Sequence, residues 1–139
     1  MVKKGIKELV AEAEAIIETL PAEEAVKLSN DENTVFVDIR DIRELYREGR
    51  IPGSVHAPRG MLEFWVDPDS PYHREIFASG KRLVLHCAIG WRSALATRTL
   101  HEMGLTNICH IGGGYNDWKE HGGAVEPVEM KPRKTEDGK

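Results

Sequence analysis

Leu83-Val84-Leu85-His86-Cys87-Ala88-Ile89-Gly90-Trp91-Arg92-Ser93-Ala94-Leu95 brings an apolar run, a loop and a helical pattern together at one cysteine. Leu83 to Leu85 is short and apolar enough for a buried parallel strand. From Ser93 onward, Leu95, Leu100 and Met103 recur near helical spacing, so the stretch reads as strand, loop, helix. That reading sets Cys87 at a helix N-terminus. The amides of residues 88 to 93 then lack strand partners and can point at the sulfur. The helix dipole and Arg92 add to the preference for negative charge there, and the thiolate is the reactive form of a cysteine. Ile89 and Trp91 oppose this by excluding water, but the loop mouth is expected to stay open to solvent. The residues alone leave a second reading open, in which Cys87 is a small buried hydrophobe beside an apolar strand.

Upstream, Thr34 to Ile39 carries Val35, Phe36, Val37 and Ile39, a run suited to a strand covered on both faces. Asp38 sits near its C-terminal end and needs a partner. Asp41 is placed to cap a helix with Ile42, Leu45 and Tyr46 on one face and Gly49 as its stop, which leaves Arg43, Glu44 and Arg47 as a solvated face. Pro21, Glu23 and Glu24 open an earlier helix that passes Val26 and Leu28 and stops at Ser29-Asn30-Asp31. Val55-His56-Ala57 reads as a short strand stopped by Pro58, and Met61 to Val66 as a helix. Tyr72, Ile76 and Phe77 suggest one more helix after the break at Pro68-Asp69-Ser70-Pro71.

Downstream, Ile108-Cys109-His110-Ile111 is the last strand, with Cys109 read as core packing. Gly112-Gly113-Gly114 lacks the spacing of a dinucleotide loop and reads as a turn releasing a short helix with Tyr115 and Trp118. Ile6, Leu9, Val10, Ala13, Ile16, Ile17 and Leu20 recur at helical steps at the start of the chain. From Pro127 little is available to bury, and Met130 to Lys139 is expected to be a disordered tail. The alternation predicts an α/β fold with a central, mainly parallel sheet of about five short strands and helices on both faces. Ligands in such sheets bind at the C-terminal ends of the strands, where the Cys87 loop lies.

A chain of 139 residues holds one core rather than two. It has no apolar run of membrane-spanning length and no basic, apolar leader, so a soluble, cytoplasmic protein is expected, with no membrane partner. The 19 Lys and Arg are scattered against 23 Asp and Glu, for a net charge of -4, which argues against a nucleic-acid partner. Two cysteines, Cys87 and Cys109, form neither a disulfide framework nor a close-spaced metal pair, so no metal and no cofactor is expected.

Four pieces carry a family resemblance: Val37-Asp38-Ile39-Arg40, Gly49-Arg50-Ile51-Pro52-Gly53-Ser54, the loop Cys87 to Arg92, and Gly112-Gly113-Gly114 followed by Trp118. Together, in order and spacing from about Leu20 to Val125, they resemble a single-domain rhodanese, a sulfurtransferase. The resemblance implies a three-layer rhodanese-like fold with Ile17 to Leu20 as an edge strand. It divides the chain into a helical extension over residues 1–15, a domain over 16–126 and a tail over 127–139. Cys87 is then the nucleophile that carries a persulfide. Ala88, Ile89, Gly90, Trp91 and Arg92 frame the substrate pocket, and Asp38, Arg40 and Ser93 support it. Arg92 has three candidate partners: loop carbonyls, Asp38, or an anionic donor. His86 points to the face opposite Cys87 on a strand and is a poor base for it.

The implied reaction moves a sulfane sulfur from thiosulfate, a small persulfide or a partner protein to cyanide or a thiol, in a monomer or a dimer. Two rivals stand beside it. Cysteine phosphatases of similar architecture carry one residue more than the four between Cys87 and Arg92, a ring wide enough for phosphate. Rhodanese-like binding modules commonly lack the cysteine, which is present here. The loop is largely apolar, with Arg92 its one cation and Arg59 expected near, which makes thiosulfate a test donor and leaves the persulfide of a small thiol or of a partner protein equally admissible as the natural one.

Overall fold

A computed structural model describes residues 1–131; most of the expected tail lies outside the described residues. The elements in chain order are α1 (Ile6–Glu14), β1 (Glu18–Leu20), α2 (Ala22–Val26), β2 (Thr34–Asp38), α3 (Ile42–Glu48), β3 (Val55–His56), α4 (Leu62–Val66), β4 (Arg82–His86), α5 (Trp91–Glu102), β5 (Ile108–Ile111) and α6 (Gly114–Glu120). The strands form one five-stranded sheet in the order β1-β5-β4-β2-β3, every pairing parallel. The expected α/β architecture is what the chain adopts. β2 and β4 lie central, and both read as continuous apolar runs because helices cover them on both sides.

Strand alternation divides the core in two. Val35, Val37, Leu83, Leu85 and Cys87 face α4 and α5 with Leu62, Ala96 and Leu100. Phe36, Val84, Cys109 and Ile111 face α2 and α6 with Ala25, Tyr115 and Trp118. α1 adds a third cluster, in which Val10 and Ala13 close on Ala94 of α5.

Local chemistry explains most boundaries. Asp41 accepts from the Arg43 amide and Glu44 reaches back to the Asp41 amide at 3.2 Å, a capping box that starts α3. α5 begins at Trp91, two residues before the expected Ser93, because Gly90 takes φ +105° and turns the chain into the helix early. Trp91 and Arg92 therefore belong to the first helical turn and not to the loop. The helix expected around Tyr72 and Phe77 is a 3-10 turn over Glu75–Ala78: Tyr72 stays exposed, which leaves too short an apolar face for a helix.

Candidate active site

Cys87 follows directly on β4, and α5 starts four residues later, so its sulfur lies where strand end and helix start meet. The Gly90 amide donates to Sγ at 3.2 Å and the Ser93 amide at 3.4 Å, while the thiol reaches Ser93 Oγ at 3.5 Å. Two amides thus aim at the sulfur, as the strand-loop-helix reading requires. The expectation of an open mouth is corrected: Cys87 is 0% exposed, closed over by the loop, with Ile89 at 54% and Trp91 at 40% exposed outside it.

The loop is fastened from below by α6. The Tyr115 amide donates to Cys87 O at 2.8 Å and the Asn116 amide to Ala88 O at 3.1 Å. Gly114, at φ +62°, makes this approach possible; a Cβ there would stand 2.6 Å from Cys87 O and 2.7 Å from the Ala88 carbonyl. The triple glycine is therefore a turn, as read, and also the floor of the site. The signal for this was its place among the four matching pieces.

Arg92 meets neither the loop carbonyls nor Asp38. Its guanidinium donates to both Glu44 oxygens, at 2.7 and 3.0 Å, and hydrogen bonding to Arg92 holds the Glu44 carboxyl below its usual range. Glu44 is accordingly not a member of a merely solvated face: the carboxylate that reaches back to the Asp41 amide also forms a bidentate ion pair with the start of α5. Arg59 pairs with Glu63 at 2.7 Å.

Asp38 and Arg40 lie on the opposite face of the sheet from Cys87. Arg40 donates to Asp38 through Nε at 3.0 Å and Nη2 at 2.7 Å and to Gly49 O at 2.9 Å, and it lies 4.1 Å over the Tyr115 ring. His86 shares this face, with Nε2 3.3 Å from Asp38 Oδ2. Burial would raise the Asp38 carboxyl, but His86 and Arg40 outweigh it and hold it far below the usual carboxylate range. The cluster also touches the loop through Tyr115, whose ring lies under Arg40 and whose amide holds Cys87 O.

The sequence did not single out His110, which lies on the Cys87 side. β4 and β5 pair Leu85 with His110, and residues side by side in a sheet share a face, so His110 faces the same way as Leu85 and Cys87. Its Nδ1 is 2.9 Å from Ser93 Oγ, and burial pushes its pKa down to about 4. The register supplies the only signal, and register is not written in the sequence of either strand. Among the described residues, no three His, Cys, Asp or Glu side chains converge as metal ligands would, and no helix is long and apolar enough to cross a membrane.

A family model described as a rhodanese-like domain matches residues 21–121. The chain belongs to the rhodanese-like family. Thiosulfate:glutathione sulfurtransferase of Saccharomyces cerevisiae is 34% identical to this rhodanese-like chain over 100 residues, covering 68% of it and 70% of the yeast protein. Thiosulfate sulfurtransferase/rhodanese-like domain-containing protein 3 of Mus musculus is 29% identical over 100 residues, covering 68% of the chain and 64% of the mouse protein. The chain spans less than two thirds of that protein's length, and 45% of a Bacillus subtilis relative named a putative sulfur carrier protein. Among solved structures, a Rhodopseudomonas palustris protein of unknown function, described as a possible tyrosine phosphatase, matches with TM-score 0.88 and 48% identity over 91% of this chain and 97% of that one. The polysulfide-sulfur transferase homodimer of Wolinella succinogenes matches with TM-score 0.65 and 28% identity, over 88% and 87%.

Proposed function

We propose that this rhodanese-like chain is a sulfurtransferase that works through a persulfide on Cys87. The observation that carries the reading is the sulfur held at 3.2 and 3.4 Å from the Gly90 and Ser93 amides at the head of a twelve-residue helix. The Cys87 thiolate attacks the outer sulfur of a donor R–S–S⁻; the donor S–S bond breaks and R–S⁻ leaves, giving Cys87–S–S⁻. An acceptor thiolate then attacks that outer sulfur, forms its own persulfide and restores the Cys87 thiolate; with cyanide the product is thiocyanate. Amides aimed at the sulfur stabilise the charge at each stage. Because Cys87 is enclosed, residues 88 to 90 open for each transfer.

The surroundings also bear on the donor. Ile89 and Trp91 give the mouth an apolar rim, and Arg92 beside it is already bound by Glu44. This supports the persulfide of a small thiol or a partner protein over thiosulfate, a dianion. Mass spectrometry of the chain after incubation with thiosulfate or glutathione persulfide tests the assignment. One added sulfur on Cys87, absent in Cys87→Ser, is expected; no added sulfur from either donor would overturn it.

The description of the Rhodopseudomonas palustris structure raises phosphatase activity as a second reading. The short loop speaks against it, and so does Arg92, which is turned to Glu44 and not toward the loop centre. Sustained release of phosphate from an aryl phosphate, lost in Cys87→Ser, would establish that reading instead.

A further inference from the structure

The structure holds two fully buried histidines, His86 on the Asp38 face of the sheet and His110 on the Cys87 face. His110 is the middle of an unbroken file of polar atoms. Cys87 Sγ lies 3.5 Å from Ser93 Oγ, and Ser93 Oγ lies 2.9 Å from His110 Nδ1. On the far side of the ring, Nε2 lies 3.1 Å from Thr19 Oγ1 and 3.9 Å from Glu14 Oε2. Cys87, Ser93 and His110 are each 0% exposed, whereas Thr19 is exposed and the Glu14 side chain is 45% exposed. The file therefore runs from an enclosed sulfur to the surface. Its outer members belong to α1 and β1, ahead of residues 21–121 that the family model matches.

The file supports two hydrogen-bond arrangements. With the ring hydrogen on Nε2, the thiol donates to Ser93 Oγ, the Ser93 hydroxyl to Nδ1, and Nε2–H to Thr19 Oγ1. With it on Nδ1, the direction reverses: the Thr19 hydroxyl donates to Nε2, Nδ1–H to Ser93 Oγ, and the Ser93 hydroxyl to a thiolate. The arrangements differ by one proton taken from the sulfur and released at the surface, with the imidazole neutral in both. Ser93 on α5, Thr19 on β1 and Glu14 on α1 are the polar groups that face the ring, and Leu85 of β4 lies beside it.

We propose that Ser93, His110 and Thr19 form a proton relay that carries the Cys87 proton to the surface beside Glu14 during sulfur loading and returns it during sulfur delivery. His110 acts through Ser93 and is a positioning residue for proton movement. In loading, the S–H bond breaks as Ser93 Oγ takes that proton and passes its own to Nδ1, and Nε2–H leaves through Thr19 to water or Glu14. The thiolate electron pair then forms the bond to the donor sulfur, and the donor thiolate departs with its pair. In delivery, the regenerated Cys87 thiolate takes a proton back along the same file, which returns the ring hydrogen to Nε2. No oxidant or reductant enters. The burial that keeps His110 neutral suits this role, because a neutral ring passes a proton on and does not store it.

The relay rests on the sulfur-transfer reading, and one experiment separates the two. Sulfur loading of Cys87 from thiosulfate and from glutathione persulfide is followed by rapid-quench mass spectrometry on the full chain, in mixtures of H2O and D2O. His110→Asn keeps a polar atom near Ser93 but breaks the path to Thr19, and Ser93→Ala breaks it beside the sulfur. Both are expected to load roughly 10- to 100-fold more slowly than wild type. The wild-type rate is expected to curve with deuterium fraction, the mark of several protons in motion, and to become linear in the variants. Thr19→Val is expected to slow loading less, because Glu14 and water stand beside the ring. Unchanged rate and curvature in His110→Asn would overturn the relay while sulfur transfer stands. If wild type loads no sulfur at all, the transfer reading fails. The relay is then judged by Cys87 alkylation with iodoacetamide in the same solvents, where equal rates in wild type and His110→Asn overturn it.

Discussion

Cys87, directly after β4, and Cys109, within the neighbouring parallel strand β5, are both 0% exposed, yet their surroundings differ in chemical meaning. Cys87 stands past the end of β4, where backbone donors have no ladder to join, and two of them face its sulfur. Cys109 lies within β5, its side chain among Leu20, Phe36 and Val84, and burial pushes its thiol up to about 11. Burial alone does not decide a cysteine's chemical character. Whether the burying groups are unsatisfied donors or satisfied walls does, and that follows from position along a strand.

The sharpest way to break this contrast is to exchange the two roles. Cys87→Ser is expected to reduce sulfur transfer to background and Cys109→Ser to keep most of it, read as thiocyanate release from thiosulfate and cyanide. Retained activity in the first variant would remove the contrast altogether.

A second test leaves both thiols in place and disturbs only the floor beneath one. Gly114→Ala places a Cβ 2.6 Å from Cys87 O in a backbone conformation that alanine rarely adopts. The chain is expected to lose roughly 1–3 kcal/mol of stability to this strain, together with most of its sulfur loading. Urea unfolding and loading rates read the two effects. Normal stability with normal loading would show that the α6 contact does not hold the loop.

β5 itself places Cys109 and His110 side by side on opposite faces, and acid should distinguish them. The unfolded chain protonates a histidine near 6.5, while the folded chain holds His110 neutral down to about 4. The stability this provides is complete above pH 6.5 and falls as acid protonates the unfolded state first, by about 3 kcal/mol on reaching pH 4. Unfolding measured between pH 7 and 4 should show this slope in wild type and a flatter one in His110→Asn. Asp38, whose carboxyl is depressed, begins to withdraw its contribution as pH falls through the ordinary carboxylate range, where the unfolded chain takes a proton that the folded carboxylate still refuses. Equal slopes in wild type and variant would place the acid sensitivity elsewhere.

The smallest effect is expected at the rim. Glu44→Gln releases Arg92, whose side chain is 43% exposed, so the ion pair it breaks is worth less than about 1 kcal/mol of stability. The same release should lower KM for thiosulfate by about 2- to 5-fold in low salt, with the gain fading as salt screens the charge. An unchanged KM would show that Arg92 does not meet the donor.

The sequence made the strand, the loop and the place of Cys87 at a helix start legible because each depends on near neighbours. The apolar run Leu83 to Leu85, the glycine at 90 and the helical spacing beyond it all fall within one short stretch. Asp41 and Gly49 were legible for the same reason, since caps are local. The sequence by itself also determined the two-sided sheet, through the continuous apolar runs of β2 and β4. Only the tertiary structure decided which distant side chains meet around and behind the loop. Arg92 and Glu44 are 48 positions apart, Ser93 and His110 are 17 apart, and Thr19 and His110 are 91 apart. Each of these contacts depends on strand register and helix crossing, which set side chains against one another across the sheet. A hydrogen bond needs its partners placed within a few tenths of an ångström, a precision that hydrophobic pattern does not carry. Periodicity says which face a residue belongs to; packing alone says which atom it meets.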